Sequence, residues 1–412
     1  MNEPPQPPPK PERLVFHVGL AIGLSILGDS FLYGNLPIEA ENLRIALPLV
    51  GILLSANRLV RLVSNTWASF LFEKLGPRKP FLMATLFAFL TTSLYGIGWG
   101  FWVFLLARIG WGIVWSALRQ GGYQAVWTGT DSARGKLMGL LWGMIRLGSA
   151  FGVLLGGYLR DGWGYGTAIF IIAGITTLAI PVAAWIRWPA EAIRAPSKKQ
   201  PFWQGWQEAL RTTPGRRLLF AGSVHSGFEG VMIATASLFL ARRLGPLDFL
   251  AEWGIRIGTI AGLLLALRWT SDILFAPGIG LLFDHLGRRK TLILLVLFLV
   301  ISLGGVVSLS RPVIIPLLAF LFISSAGLNV VLSALANGFS MQVERPHIYM
   351  GVYATALDAG AAIGPLLAYF VGTWVGFGTL YVLAGAILLV SVLRYFGVSQ
   401  EGIEKRDQKK EP

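Results

Sequence analysis

The chain has 412 residues, of which 54% are hydrophobic and only 14% charged, against about 25% charged in a soluble domain. Apolar runs near 20 residues recur down its length, each enough to cross a hydrocarbon core of about 30 Å as a helix, which excludes a soluble globular fold. A net charge of +14 would suggest nucleic acid in a soluble protein but here reads as cytoplasmic loops facing anionic lipid. With no cysteine and four histidines, none in a ligand spacing, disulfides and thiolate chemistry are excluded and neither a metal nor a cofactor is expected.

The first residues, MNEPPQPPPKPER, are too Pro-rich for a signal peptide and read as an extended tail over 1–12. About twelve spans follow. They start near Leu14, Leu43, Pro80, Phe101, Leu137, Gly166, Leu218, Trp253, Thr291, Val313, Ile348 and Gly378. The fold class is therefore all-α and polytopic: six helices in 13–188, a linker over 189–215, six more in 216–397, and a tail over 398–412. In the linker, Phe202, Trp203, Trp206 and Leu210 share a helical face and predict an interfacial helix; a plain linker is the alternative. Lys and Arg crowd the loops on the side of the N-terminus, from Lys74, Arg78 and Lys79 to the run between Arg187 and Arg217. The other side holds only Arg44, Arg160, Arg242, Arg243, Arg256 and Arg311. This asymmetry predicts that both termini are cytoplasmic.

The halves repeat. SFLFEKLGPRK (69–79) matches GLLFDHLGRRK (280–290), SALRQGG (116–122) matches SALANGF (333–339), and GSAFGVLLGG (148–157) matches GAAIGPLLAY (360–369), at offsets of 211, 217 and 212. Spans 2, 4 and 5 thus correspond to 8, 10 and 11, and such duplication builds two pseudo-symmetric bundles around a central path.

These residues resemble the major facilitator superfamily along nearly the whole chain. The family's signature between spans 2 and 3 is almost complete at Gly280, Asp284, Gly287, Arg288 and Arg289. An altered copy stands at Ser69, Glu73, Gly76, Pro77, Arg78 and Lys79. The resemblance implies a cytoplasmic latch at Glu73, Arg78, Gly280, Asp284, Arg288 and Arg289; simple positive-inside anchoring is the competing reading. Arg108 with Gly112 is similar to the family's span-4 motif. Gly148, Gly152, Gly156 and Gly157 of span 5 are similar to that of its drug:proton antiporter branch, with Val153 where that motif has proline and Pro365 at the matching place of the other half. Glycines four apart let backbones approach, and in span 5 they are expected to seal one bundle against the other, with ordinary small-residue packing as the alternative.

Charges inside the membrane cost roughly 2.5–3.5 kcal/mol each on insertion scales, so those of the spans must pair or line a cavity. By the repeat, Arg61 aligns with Asp272 and Arg146 with Asp358. In the family's fold span 2 faces span 11 and span 5 faces span 8, so the expected gate pairs are Arg61–Asp358 and Arg146–Asp272, made in one state and broken in another; static pairing within each bundle is the alternative. Asp29, with no obvious partner, Glu229 and, one helical turn before it, His225 are the proton-coupling candidates. Burial favours the protonated form of a carboxyl, whereas arginine does not deprotonate in proteins. A neutral acid fixing helix packing explains each acid as well. Arg58, Arg108 and Arg268, with Asn57 and Asn329, are the candidates for binding solute, the guanidinium fork suiting a carboxylate, phosphate or sulfate; Arg108 also has a purely structural reading. Asn57, Arg61 and Asn65 form one helical stripe expected to face a cavity.

The expectation is a secondary transporter in the cytoplasmic membrane, moving a small organic or amphiphilic solute, with an anionic group as one option, by proton-coupled efflux. Its partners would be the solute, protons and membrane lipid, without nucleic acid, and the chain would act as a monomer. An organic anion importer or exchanger and a lysophospholipid or lipid-headgroup flippase are the alternatives, as is a sensor that no longer transports. No nucleophile–base spacing or P-loop appears, so neither an enzyme nor direct ATP drive is expected.

Overall fold

In hydrocarbon every backbone N–H and C=O must find its partner within the protein, which leaves the helix as the way for these isolated apolar runs to cross. The computed structural model describes residues 10–130, 133–189, 207, 210–245, 255–308, 313–343 and 346–407, and no strand occurs among them. The helices are α1 (Pro11–Ser25), α2 (Leu27–Glu39), α3 (Leu47–Leu75), α4 (Arg78–Ile97), α5 (Phe101–Trp127), α6 (Arg134–Thr176) and α7 (Ala179–Trp185). They continue as α8 (Thr213–Leu244), α9 (Ile257–Leu274), α10 (Ala276–Ser308), α11 (Ile314–Ser340), α12 (Pro346–Phe370), α13 (Gly372–Val375) and α14 (Phe377–Asp407). Eleven stretches among the described residues are long and apolar enough to cross a membrane, and one of them, Arg134–Trp185, has 52 residues, enough for two crossings. It turns at Gly164, φ +79°, so the described residues hold twelve stretches of crossing length, the number expected. The interfacial helix expected at Phe202, Trp203 and Trp206 lies outside the described residues. The backbone of α14 stays helical past residue 397, where the sequence suggested a tail; the stretch offers one glycine and no proline to stop it.

The two copies of the loop signature turn in the same way. Gly76 (φ 71°, ψ 170°) ends α3 and Gly287 (φ 78°, ψ 162°) breaks α10. That backbone region is essentially closed to residues with a Cβ, which explains why this glycine survives even in the altered first copy. Glu73 and Arg78 are exposed beside the first turn; Gly280, Asp284, Arg288 and Arg289 lie on α10 on either side of the second.

Two compact units are distinguished. One holds Met1–Ala46, Ala56–Lys198 and Pro246–Trp269; the other holds Leu47–Ser55, Lys199–Gly245 and Thr270–Pro412. In the first, α1 and α2 lie on the first half of α6 at backbone contact. A Cβ on Gly148 would fall 2.3 Å from the Gly23 carbonyl oxygen, and one on Gly152 2.8 Å from that of Leu27; Gly156 receives the Phe31 ring. The span-5 glycines were expected to seal one bundle against the other, but these three seat span 1 of their own bundle instead. Only Gly157 meets the span-8 helix, its Cβ position lying 2.2 Å from the Gly258 carbonyl. In the second unit α12 repeats this arrangement on α8: Gly360 abuts the Ser223 carbonyl at 2.0 Å and Gly364 that of Gly227 at 2.5 Å.

Each unit also holds one copy of a second crossing. Gly262 of α9 would meet the Val153 carbonyl at 2.6 Å, and Gly51 of α3 the Pro365 carbonyl at 2.7 Å. Gly51 and Gly262 are repeat mates, as are Val153 and Pro365. The expected facing of span 5 with span 8, and of span 2 with span 11, is thus present. Gly148→Val is expected to lower the thermal unfolding temperature of the purified protein by several degrees, since overpacking costs about 1–3 kcal/mol or more. Gly143→Val, where nothing lies within 4 Å, leaves it unchanged.

Candidate proton and solute site

Asp29 falls in the first turn of α2, just after the interruption at Ile26 that separates α2 from α1. Arg108 sits mid-way along α5, where its side chain has no exposed surface. The Arg108 guanidinium donates to Asp29 Oδ1, and Asn57 Nδ2 of α3 donates to the same oxygen at 3.3 Å. The acid that the sequence left without a partner is therefore held from two helices. Arg108, expected among the solute-binding groups, has its charge met by Asp29. A permanent cation with no access to water needs such a partner, and Asp29, 12% exposed against 0% for Arg108, is the more accessible member of the pair.

Tyr33 lies one helical turn beyond Asp29. Arg108 Cζ stands 5.6 Å from the Tyr33 ring centroid, within cation–π range, and the Arg58 side chain lies close to its phenol. On its other side Tyr33 meets Trp269 of α9 edge-on, with centroids 6.4 Å apart. The first unit thus gathers Asp29, Tyr33, Asn57, Arg58, Arg108 and Trp269. The carbonyl oxygen of the Asn57 side chain is buried there without a hydrogen-bond partner. Sequence reading found the charged members and missed Tyr33 and Trp269, which carry no charge to draw attention in an aromatic-rich chain.

Asn57 and Asn65 of the Asn57, Arg61, Asn65 stripe lie against span 4. A Cβ on Gly112 of α5 would fall 2.7 Å from the Asn57 backbone carbonyl, while Ser116 hydroxyl reaches Asn65 Oδ1 and Ser64 Oγ, each at 2.7 Å. The stripe is the polar seam between spans 2 and 4, where hydroxyl and amide groups satisfy each other out of water. Arg61 is buried and donates through Nε to the Asn57 carbonyl at 3.3 Å.

In the second unit His225 is almost fully buried, and its Nε2 lies 3.0 Å from the Ser325 carbonyl oxygen and 3.1 Å from its hydroxyl. This bond orients the ring from α11. Glu229, one turn on, is half-buried, as are Asn329, Asp272 and Asp358 in that unit and Arg58 and Arg146 in the first; Arg268 is buried in the first. Arg61 and Arg146 belong to the first unit and their expected gate partners Asp358 and Asp272 to the second.

The helix crossings supply a register that the sequence motifs do not. Gly148 on Gly23 matches Gly360 on Ser223, and Gly152 on Leu27 matches Gly364 on Gly227, so spans 1 and 7 align at an offset of 200. At that offset Asp29 aligns with Glu229 and Ser25 with His225. The span-4 offset aligns Arg108 with Ser325, and the span-2 offset aligns Asn57 with Arg268. The two acidic proton-coupling candidates thus occupy one repeated position.

The sequence matches the profile of the Major Facilitator Superfamily over residues 18–246 and again over 218–412. It is 27% identical over 271 residues to the mouse (Mus musculus) MFS-type transporter SLC18B1, covering 62% of this chain and 56% of that protein. It is 24% identical over 351 residues to the multidrug resistance protein MdtG of Dickeya zeae (strain Ech586), covering 83% of this chain and 82% of that one. Among solved structures, a bacterial homologue of the human lysosomal transporter Spinster, inward-facing and unoccupied, superposes with a TM-score of 0.77 at 13% identity, covering 95% of this chain and 98% of that one. The nucleoside transporter NupG does so with 0.75 at 10% identity, covering 93% and 98%.

Proposed function

The chain belongs to the Major Facilitator Superfamily, and from that premise we propose that it exports a small organic or amphiphilic solute in exchange for protons, with Asp29 as the group that proton and solute share. It is an integral membrane protein and a secondary transporter; the cytoplasmic membrane, the cytoplasmic termini, the coupling ion and the direction are part of this proposal. The observation that carries it is the Asp29–Arg108 pair: an accessible acid balancing a buried, permanently charged base. Protonating Asp29 leaves Arg108 uncompensated in a dry site. One proton therefore changes the charge of the site and biases the conformations open to it. Arg61–Asp358 and Arg146–Asp272 are the pairs proposed to report that change at the gates.

The sign of the charge matters. A protonated Asp29 makes the site more positive, so it weakens binding of a cationic or hydrogen-donating solute and strengthens binding of an anion. Exchange follows in the first case and cotransport in the second. Arg58 on Tyr33 favours the anion, so uptake of an organic anion together with a proton is the second reading. The test is proteoliposomes with an imposed pH gradient, followed by a trapped pH dye while candidate cations, anions and lysolipids are added. Proton movement opposite to solute movement supports exchange, and movement in the same direction supports cotransport. Solute flux that ignores the gradient defeats both.

A further inference from the structure

At the end of the spans opposite both termini, the last residues of two crossings carry a cluster of charges that the site above does not use. Arg160 and Asp161 close the first half of α6, and Glu39 closes α2. The Arg160 guanidinium donates to Glu39 Oε1, through Nε at 2.7 Å and through a second nitrogen, and to Asp161 Oδ1 at 3.0 Å. The other oxygen of Asp161 leaves its own helix. It accepts from the backbone N–H of Arg256 at 3.2 Å, the backbone N–H of Thr259 at 2.7 Å and the Thr259 hydroxyl at 2.8 Å. These groups form the N-terminus of α9, whose first amides have no partner within the helix and whose dipole favours an anion. The side chain of Asp161 has no exposed surface.

The neighbouring backbone is shaped around this contact. A Cβ on Gly258 would fall 2.5 Å from Asp161 Oδ1, so only glycine leaves room for the carboxylate. One and two turns back along α6, Gly157 against Gly258 and Val153 against Gly262 bring the two helices to backbone contact. The repeat holds no second copy. The mates of Asp161 and Thr259 are Thr373 and Pro48, and Thr373 bonds only within its own segment, to the Tyr369 carbonyl. The repeated crossing of Gly51 with Pro365 has no carboxylate at the position matching Asp161, whereas this one adds a buried charge. Packing would be served equally well by a small neutral residue, so the charge calls for another explanation.

We propose that Asp161, held by Arg160 and Glu39, is the latch that keeps spans 5 and 8 together at the external mouth, and that it must release the N-terminus of α9 for the mouth to open. The inference rests on the transport reading. A carboxylate accepting three hydrogen bonds at a helix N-terminus is broken all at once when the helices part, and reforms on closure. It thereby supplies two discrete states rather than a graded hinge. Arg160, itself held by Glu39, aims the acid at the N-terminus of α9.

The test uses the full chain in cells, where the lack of native cysteine gives a clean background. A single cysteine replaces Leu265, buried on α9 two turns inward from the latch, and a membrane-impermeant thiol reagent is applied from outside. Removing a hydrogen-bonded charge shifts a two-state equilibrium by about tenfold or more. Asp161→Asn is thus expected to raise the labelling rate by about tenfold, and Thr259→Val and Arg160→Gln by smaller factors in the same direction. Should Asp161→Asn fail to reach the membrane, those two milder variants carry the test. If labelling at 265 responds to solute or pH gradient in the parent but stays at the parental rate in all three variants, the latch is wrong and the transport reading stands. If no introduced cysteine along spans 5 and 8 ever shows labelling that depends on side and conditions, the transport reading fails and takes the latch with it.

Discussion

Replacing Asp29 by asparagine is expected to abolish coupled proton movement and to destabilise the protein by about 3–5 kcal/mol, the usual consequence of removing one partner from a buried ion pair. Asparagine matches the shape of aspartate but cannot carry its charge, so Arg108 is left as a cation with no exposed surface. Arg108→Gln should cost less, because Asp29 is partly accessible and becomes neutral by taking a proton. The double variant Asp29→Asn, Arg108→Gln removes both charges. It should recover most of the lost stability, read as thermal unfolding in detergent, while coupling stays absent. That divergence separates the two roles of the pair: the fold needs charge balance, and transport needs a titratable group. Asp29→Glu keeps the proton site and should retain measurable coupling.

The second large effect is expected at the gate. Arg61→Asp faces the proposed partner Asp358 with a like charge, a juxtaposition that costs several kcal/mol. If the pair forms in one conformation only, that conformation is depleted by a factor of a hundred or more, and transport should fall below about a tenth of the parent. Adding Asp358→Arg restores an ion pair with reversed polarity and should bring transport back to within a few-fold. Static pairing inside each bundle predicts no rescue, because the restored charges would then meet the wrong neighbours. Arg61 also donates to the Asn57 carbonyl, so Arg61→Gln, which loses the charge and keeps a donor, separates the gate from that local bond. Its transport should be reduced without the collapse seen for Arg61→Asp.

The twelve crossings were legible because hydrocarbon leaves a helix few alternatives and because run length reports directly on membrane thickness. The repeat was legible in three places, two of which are held by backbone geometry: Gly76 and Gly287 at positive φ, and Gly148 and Gly360 at backbone contact. Spans 1 and 7 carry no such shared motif. Their offset of 200 differs from those of the other spans, so the equivalence of Asp29 and Glu229 was hidden until the crossings aligned them. The partner of Asp29 was hidden for a related reason. Arg108 is 79 positions away, and its repeat mate is Ser325, so no mirrored charge pointed to the pair as it had for Arg61 and Asp272. Helical spacing says which residues share a face and not what covers it; Gly112 and Ser116 of α5 lie against Asn57 and Asn65. Asp161 escaped notice because two of its three bonds to α9 come from backbone amides, which no side-chain pattern records.

The claim that Asp29 is shared between proton and solute is tested most directly by counting protons. Purified protein in weakly buffered solution is mixed with a saturating solute, and the pH change is followed with an indicator dye. Exchange at Asp29 predicts the release of about one proton per protein from the parent and none from Asp29→Asn, with solute binding still detectable in the variant. Equal proton release from the parent and from Asp29→Asn would contradict it.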